Sequence, residues 1–216
     1  MVSKLEDLEI LKTVLEHKEA HRGLAFLYAA SQSECTKNSR CGMEVGMSRE
    51  KDQAAVLKLF LNDKINVDID NSRTEDITIG DSNISIKHSS AKVGTPVKVT
   101  WTSADVSVRE AIAKIINAED SSYPHLLLNY LDVSKNKITI ICISSEENKT
   151  VIKTLKDDAF TVPKGNSRGI QYSKKAMNEL LKKTYFKIEI RDANLKGGVN
   201  PIERRIQLLK DLGIKP

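Results

Sequence analysis

The chain has 216 residues, 40% of them hydrophobic and 29% charged, with 34 Lys and Arg against 29 Asp and Glu and a net charge of +5 at pH 7. This composition is typical of a globular protein, and no apolar run approaches the roughly 20 residues that a membrane-spanning helix needs, so we expect no membrane partner. The charged N-terminus does not resemble a signal peptide, and three sparse cysteines without a CxxC pair predict reduced thiols in a cytoplasmic protein rather than a disulfide framework.

The first third of the chain is predicted to be mainly helical. Leucines recur at helical spacing over residues 2–18, and a second helix is predicted over 20–30. Residues 31–47 contain two glycines and several small polar side chains, which predicts a loop. Ser48 is expected to cap a third helix that runs to about Asn62.

The rest of the chain mixes strands with helices. A hairpin is predicted over 76–90, and further strands over 97–103, 125–133, 137–144 and 185–191. Helices are predicted over 108–118, 148–155, 172–183 and 201–213. The apolar strands 125–133 and 137–144 are expected at the centre of a sheet. Intermixed helices and strands without repeats or linkers predict a layered α/β fold in one domain.

The hairpin sequence "DITIGDSNISIKHSS" carries an acid at its start and a lysine near its end. A turn at residues 80–83 predicts three facing pairs: Ile79 with Ile84, Ile77 with Ile86, and Asp76 with Lys87. The isoleucines then share a buried face, and Asp76 and Lys87 are neighbours on the polar face. Considered alone, the charged pair is also consistent with a surface salt bridge.

A glutamate on the preceding helix changes this interpretation. Glu50, Ala54, Leu57 and Leu61 fall on one helical stripe, which is apolar except for Glu50. A helix packed on the sheet would therefore point Glu50 at the sheet, and a desolvated carboxylate needs a partner. Asp76 with a divalent cation such as Mg²⁺ supplies one. The alternative is that Glu50 only stabilises the first turn through the helix dipole.

An acid, a hairpin, a lysine on the second strand and a glutamate on the preceding helix together resemble the PD-(D/E)XK nucleases, specifically the Type II restriction endonucleases. The segment "ISIKHSSAKVGTPVKVTWTSA" strengthens the resemblance, which covers 48–116. It implies a restriction-endonuclease-like three-layer α/β/α fold with a central mixed sheet and a catalytic β-hairpin. In this single nuclease domain, N-terminal helices and a loop (1–47) precede a catalytic core (48–145) and a basic DNA-contacting part (161–216).

The sequence departs from the family pattern at two positions. Glu75 stands where the pattern has a proline before Asp76, and Ser85 occupies the second acidic position. Some members of the family recruit a glutamate from a helix instead, and Glu50 is the candidate for that role. Asp81 and Glu75 are alternatives to Asp76, but Asp81 falls in the turn and alternation points Glu75 to the opposite face.

The resemblance implies metal-assisted hydrolysis of DNA. Asp76 and Glu50 would hold Mg²⁺, and Lys87 would orient or activate the attacking water and offset charge in the transition state. The substrate would be double-stranded DNA, and a palindromic site would require a homodimer. Two alternatives stay open: a repair or junction-resolving nuclease of the same fold, and a DNA-binding protein without catalysis in which Asp76 and Lys87 merely pair.

The C-terminal quarter is distinctly basic. Residues 161–216 carry 13 Lys and Arg against 5 Asp and Glu, a net charge of +8. Such a segment indicates a polyanionic partner, although a solubilising surface has the same composition. The candidate DNA contacts, chosen for their charge or their ability to bind base edges, are Ser89, Lys92, Lys164, Asn166, Arg168, Gln171, Lys174 and Lys175.

Overall fold

The computed structural model describes residues 2–37, 43–67, 76–102, 105–164, 168–191, 193 and 195. The predicted helix over 201–213 lies outside these residues, and so does the candidate DNA contact Asn166. Within the described ranges, no helix is long and apolar enough to cross a membrane.

Three helices open the chain: α1 (Val2–Glu16), α2 (Lys18–Lys37) and α3 (Met43–Leu61). The loop predicted over 31–47 is wrong at 31–37 and 43–47, because α2 extends to Lys37 and α3 begins at Met43. Residues 38–42 of that prediction lie outside the described residues. Ser48 consequently lies inside α3 and does not cap it. Its hydroxyl is 3.0 Å from the Ser31 hydroxyl, and Ser31 also donates to the Asp52 carboxylate. Pairing between the two helices thus satisfies polar side chains that alone would favour a loop.

The remaining described elements mix strands with helices as predicted, with three short strands that were not predicted. The described strands are β1 (Ile65–Val67), β2 (Ile77–Ile79), β3 (Ser82–Ser89), β4 (Lys98–Trp101), β5 (His125–Asp132), β6 (Lys137–Ile143), β7 (Phe160–Thr161), β8 (Gly169–Tyr172) and β9 (Thr184–Ile190). The further helices are α4 (Val108–Ile116), α5 (Ser145–Leu155) and α6 (Lys174–Lys182). The sequence gives no periodic signal for β1, β7 and β8, which are two to four residues long.

The strands form a six-stranded sheet in the order β1-β2-β3-β5-β6-β9 and a three-stranded sheet in the order β4-β8-β7. Strands β3 and β5 are parallel, whereas the other neighbours in the large sheet are antiparallel, so the sheet is mixed. The prediction that β5 and β6 are central is confirmed. The helical and strand segment between β3 and β5 is the crossover that a parallel pair requires.

Helices cover both faces of the large sheet. One buried cluster joins α1, α2 and α3 to the sheet, and a second joins α4, α5, α6 and the small sheet to its other face. Alternation along β5 makes the division visible, since Leu127 belongs to the first cluster and Leu126 and Leu128 belong to the second. The fold is the predicted three-layer α/β/α arrangement.

The hairpin of β2 and β3 keeps its predicted faces in a different register. The observed pairs are Ile77 with Ile84, Thr78 with Asn83, and Ile79 with Ser82, around a two-residue loop of Gly80 and Asp81. The predicted pairing is therefore wrong by two residues, because the turn is shorter than the four residues assumed. A shift of two preserves the side-chain faces. Accordingly, the isoleucines at 77, 79, 84 and 86 are all 0–1% exposed, as predicted.

Replacing Gly80 is expected to destabilise the hairpin. Its φ of +54° lies in the left-handed region, and an added Cβ would meet the Asp7 carboxylate of α1 at 2.6 Å. We expect Gly80→Ala to lower the free energy of unfolding by about 1–2 kcal/mol, the cost of that backbone region for an L-residue. Denaturant unfolding checks this, with Gly46→Ala as the control. Nothing lies within 4 Å of a Cβ at Gly46, so this helical substitution should be neutral or stabilising.

Candidate active site

Asp76 is fixed where β2 stops pairing with β3. Its N–H donates to the Ile84 carbonyl at 3.0 Å, and its Oδ2 accepts the Ile86 N–H at 2.6 Å and the Ser85 hydroxyl at 3.2 Å. Among the described residues, β2 pairs with β3 only as far as Ile84. The Asp76 side chain thus accepts the Ile86 N–H, in place of a backbone carbonyl of a longer β2. Ser85 stands at the second acidic position of the pattern that the hairpin sequence resembles, and its hydroxyl donates this hydrogen bond to Asp76.

Lys87 reaches the same carboxylate. Its Nζ lies 3.5 Å from Asp76 Oδ2, and the two side chains are 18% and 25% exposed. In the observed register Lys87 is diagonal to Asp76 on the polar face rather than directly opposite. Diagonal neighbours on one face of a sheet remain within reach of a long side chain. The predicted contact between Asp76 and Lys87 is therefore present, although the two residues are not directly opposite each other in the sheet.

Glu50 joins this pair from the first layer of helices. It lies on α3 in line with Ala54, Leu57 and Leu61, which are buried as predicted. Burial raises the pKa of the Glu50 carboxyl to about 7. The ammonium groups of Lys87 and Lys98 oppose this shift, and the negative charge of Asp76 adds to it. The Glu50 carboxyl is therefore close enough to Asp76 and Lys87 to respond to their charges, whereas Asp76 and Lys87 are in direct contact.

Lys98 is a fourth charged group at this place, and the sequence analysis did not single it out. Burial lowers the pKa of its ammonium, with Glu50 opposing the shift and Lys87 adding to it. Lys98 is the first residue of β4 and pairs with Gln171 of β8. Period-two alternation in the segment from Val97 to Trp101 separates Lys98 from the buried Val97, but it does not indicate that Lys98 faces Glu50.

Arg49 anchors the start of α3. It is only 2% exposed and donates to the Ser90 hydroxyl at 3.0 Å, just beyond β3, and to the Gln32 side-chain oxygen of α2. A buried guanidinium with such partners resists movement, because leaving it unpaired would be costly. Arg49 thereby positions the neighbouring Glu50 against β3.

His88 follows Lys87 on β3 and faces the opposite side of the strand. Its ring packs edge-on against Tyr28 with centroids 5.1 Å apart, and neither ring nitrogen has a hydrogen-bond partner among the described residues. Burial, reinforced by the charges of Arg49 and Lys87, holds the pKa of His88 well below its usual range. The imidazole is therefore neutral and packs in the core, away from the charged cluster.

Most candidate DNA contacts are on the surface. Lys164 and Arg168 are exposed in the segment between β7 and β8, and the Arg168 carbonyl accepts the Thr102 N–H at 3.0 Å. Lys92 is exposed in the turn after β3, and the Ser89 hydroxyl accepts the Ala91 N–H at 3.2 Å.

The remaining candidates surround the start of α6. Gln171 lies beside Lys98, which connects this region to the charged cluster. Lys174 is exposed in the first turn of α6, whereas Lys175 pairs with Asp158 at 2.9 Å. The Ser173 hydroxyl accepts the Ala176 N–H at 3.1 Å and so caps this helix.

Of the two acidic alternatives, the structure describes only Asp81. Asp81 is exposed in the hairpin loop, and Glu75 lies outside the described residues. In the described ranges, no group of three or more His, Cys, Asp and Glu side chains clusters as a metal site would. The carboxylates that the described residues bring together near Lys87 are those of Glu50 and Asp76, with the Ser85 hydroxyl against Asp76.

A family model of the restriction endonuclease ThaI matches residues 10–211. The chain belongs to the ThaI restriction endonuclease family. It is therefore a Type II restriction enzyme, and restriction endonucleases generally use divalent metal ions. The alternative of a DNA-binding protein without catalysis is thus set aside.

The structure is also similar to a solved one described as a restriction endonuclease in complex with substrate DNA, with a TM-score of 0.69 and 23% sequence identity. The similarity covers 93% of this chain and 99% of the other, which establishes a shared fold. A comparison with curated proteins gives no match.

Proposed function

We propose that the enzyme is a homodimer that cleaves double-stranded DNA at a short specific site in the presence of Mg²⁺. Membership of the restriction endonuclease family supports the reaction, and the DNA bound to the protein of similar fold supports the substrate. The observation that carries the catalytic assignment is the 3.5 Å contact between Lys87 and Asp76, and the influence of both charges on the buried Glu50 carboxyl supports it. Twofold symmetry would match a palindromic DNA site.

The carboxylates of Glu50 and Asp76 fit a divalent cation. Both are hard oxygen ligands, and the pKa of Glu50 is raised because burial disfavours its charge, a cost that a bound cation would offset. The three side-chain contacts that the described residues make with Asp76 all involve Oδ2, so Oδ1 can coordinate a cation. When bound, Mg²⁺ would polarise the scissile phosphate and lower the pKa of a coordinated water.

Lys87 is the proposed catalytic cation of the hairpin. Its ammonium would orient the attacking water and offset the negative charge that develops on the phosphate. Ser85 and the Ile86 N–H hold Asp76 in place while Lys87 exchanges contacts with it. The water oxygen bonds to phosphorus and the bond from phosphorus to the 3′ oxygen breaks, which leaves a 5′-phosphate and a 3′-hydroxyl.

DNA binding is assigned to the edge formed by the small sheet and the turn after β3. Lys164, Arg168 and Lys174 are exposed and positively charged, and they would contact phosphates. Gln171 can contact a base edge. Ser89, Lys92, Lys175 and Asn166 complete the proposed set, in which Lys175 must exchange Asp158 for a phosphate.

Incubation of a sequenced plasmid and phage DNA with the enzyme tests the proposal. With Mg²⁺ we expect discrete fragments with constant ends, and with EDTA we expect intact DNA. Size-exclusion chromatography with light scattering should give twice the 24.1 kDa chain mass. Retarded but intact DNA in Mg²⁺ would contradict catalysis, and random degradation would contradict site specificity.

A further inference from the structure

A buried asparagine on the central strand β5 contacts both α3 and β3. Asn129 is 0% exposed and lies between Leu127 and Leu131 on the face that packs against the N-terminal helices. Its Nδ2 donates to Gln53 Oε1 of α3 at 2.9 Å, to the Leu127 carbonyl at 3.1 Å and to the Lys87 carbonyl of β3 at 3.5 Å. One amide group therefore joins the helix that carries Glu50 to the strand that carries Lys87.

The contacts of Asn129 also fix the orientation of both amides. Backbone carbonyls only accept hydrogen bonds, so the nitrogen of Asn129 must face Leu127 and Lys87. Gln53, which is 0% exposed, then presents its oxygen to the same nitrogen. Rotation of α3, or sliding of α3 along the sheet, would break this bond between the two amides, because a hydrogen bond depends on angle as well as on distance.

A second polar contact holds α3 one turn earlier. Arg49 precedes Gln53 by four residues and so lies on the same side of the helix. It donates to the Ser90 hydroxyl at 3.0 Å, three residues after Lys87. Glu50 lies between Arg49 and Gln53 along α3, so both contacts restrain the turn of the helix that carries it.

Stability alone does not require a pair of amides at this place. Burying a carboxamide costs free energy, and a pair of apolar side chains of similar shape can be equally stable or more so. Apolar packing of Ala54, Leu57 and Leu61 already attaches the second half of α3 to the core. Apolar attraction has no preferred direction, whereas the hydrogen bond between the amides defines one position of α3 on the sheet.

We propose that Asn129 is a positioning residue, which through Gln53 fixes α3 against β3 and thereby sets the distance between Glu50 and the hairpin. The proposal rests on the proposed function of Glu50, Asp76 and Lys87. Two carboxylates can hold one cation only when both reach it, at roughly 2.0–2.1 Å for Mg²⁺. The position of α3 therefore decides whether Glu50 and Asp76 act together.

Single-turnover cleavage by Asn129→Leu tests the proposal. With enzyme in excess and Mg²⁺ present, we expect the rate constant to fall about 10- to 100-fold, the loss that a misplacement of about 1 Å can cause. The affinity for Mn²⁺, measured by calorimetry, should fall as well. A double variant, Gln53→Met with Asn129→Leu, removes both buried amides. It should unfold at a higher temperature than Asn129→Leu alone, while its cleavage stays slow.

Asn148→Leu is the matched control. Asn148 of α5 is 1% exposed, on the other face of the large sheet. Its Oδ1 accepts the Tyr172 hydroxyl at 2.7 Å, and its Nδ2 donates to the Pro124 carbonyl at 3.1 Å. The substitution also removes a buried amide from a side-chain partner, so the unfolding temperature should fall. The cleavage rate and the affinity for Mn²⁺ should stay at their wild-type values.

The outcomes distinguish this proposal from the one on which it rests. If Asn129→Leu cleaves and binds Mn²⁺ as the wild type does while Lys87→Ala is inactive, the positioning role is overturned and the proposed function stands. Normal cleavage by Lys87→Ala would remove the proposed function, and the positioning role with it. A cleavage rate that follows the unfolding temperature through the single, double and control variants would overturn positioning in favour of a structural role. Slow cleavage by Asn129→Leu with unchanged Mn²⁺ affinity would also overturn it.

Discussion

Lys87→Ala is expected to abolish DNA cleavage and to leave DNA binding nearly intact. The ammonium of Lys87 lies 3.5 Å from Asp76 Oδ2, where it can both orient water and oppose negative charge on a phosphate. Combining those two contributions, we expect the single-turnover rate with Mg²⁺ to fall at least about 10³-fold. Binding should persist because the proposed phosphate contacts lie mainly on the small sheet and α6.

The fold should survive this substitution. Asp76 keeps the hydrogen bonds from the Ile86 N–H and the Ser85 hydroxyl, so its carboxylate is not left without partners. Retention of labelled duplex DNA with Ca²⁺, together with an unchanged circular dichroism spectrum, checks both points. Lys58→Ala is the control, because Lys58 is exposed on α3 and its removal should not affect cleavage. Full cutting by Lys87→Ala would refute the catalytic assignment.

The polar face of the hairpin could be predicted from the sequence, because it depends only on which alternate positions along each strand carry polar residues. Asp76, Ser85 and Lys87 alternate with buried isoleucines, and the two-residue error in register left this alternation unchanged. The stripe that contains Glu50 was equally secure, since helical spacing and an apolar run of Ala54, Leu57 and Leu61 define one side of α3.

Contacts between side chains from distant segments of the chain could not be predicted from the sequence. Lys98 lies in a four-residue strand, which is too short to show a convincing period, and its approach to Glu50 depends on how two sheets pack. The extension of α2 and α3 was missed for a related reason. Ser31 and Asp52 pair across the two helices, and a pattern within one segment does not reveal such a contact.

Glu50→Gln is expected to remove activity and at the same time to stabilise the metal-free protein at alkaline pH. The amide cannot replace a carboxylate as a ligand for a hard cation, so Mn²⁺ affinity should fall and cleavage with Mg²⁺ should be lost. In the absence of metal, however, the ionised carboxylate destabilises the folded protein. Its pKa of about 7 in the folded state shows that burial favours the protonated form over the ionised one.

The sign of the pH dependence follows from that shift. The ordinary pKa of a glutamate is lower than the folded value, so the folded state binds the proton more tightly. Stability is therefore lost as pH rises from about 4.5 to about 7, and the destabilisation is complete above that range. Gln resembles the neutral form at every pH. In EDTA, the variant should gain up to about 3 kcal/mol at pH 8 and less than about 1 kcal/mol at pH 5.

Thermal and urea unfolding at the two pH values measure this difference. Glu6→Gln is the control, because Glu6 is exposed on α1 and should give no comparable gain at either pH. Added Mn²⁺ should make the wild-type protein the more stable of the two at pH 8. It binds the wild-type protein and stabilises it by mass action, whereas the variant has lost one of the proposed metal ligands. A variant that is less stable than wild type in EDTA at pH 8 would show that contacts within the protein already stabilise the ionised Glu50, without a cation. That result would remove Glu50 from the proposed metal site, even if cleavage were lost.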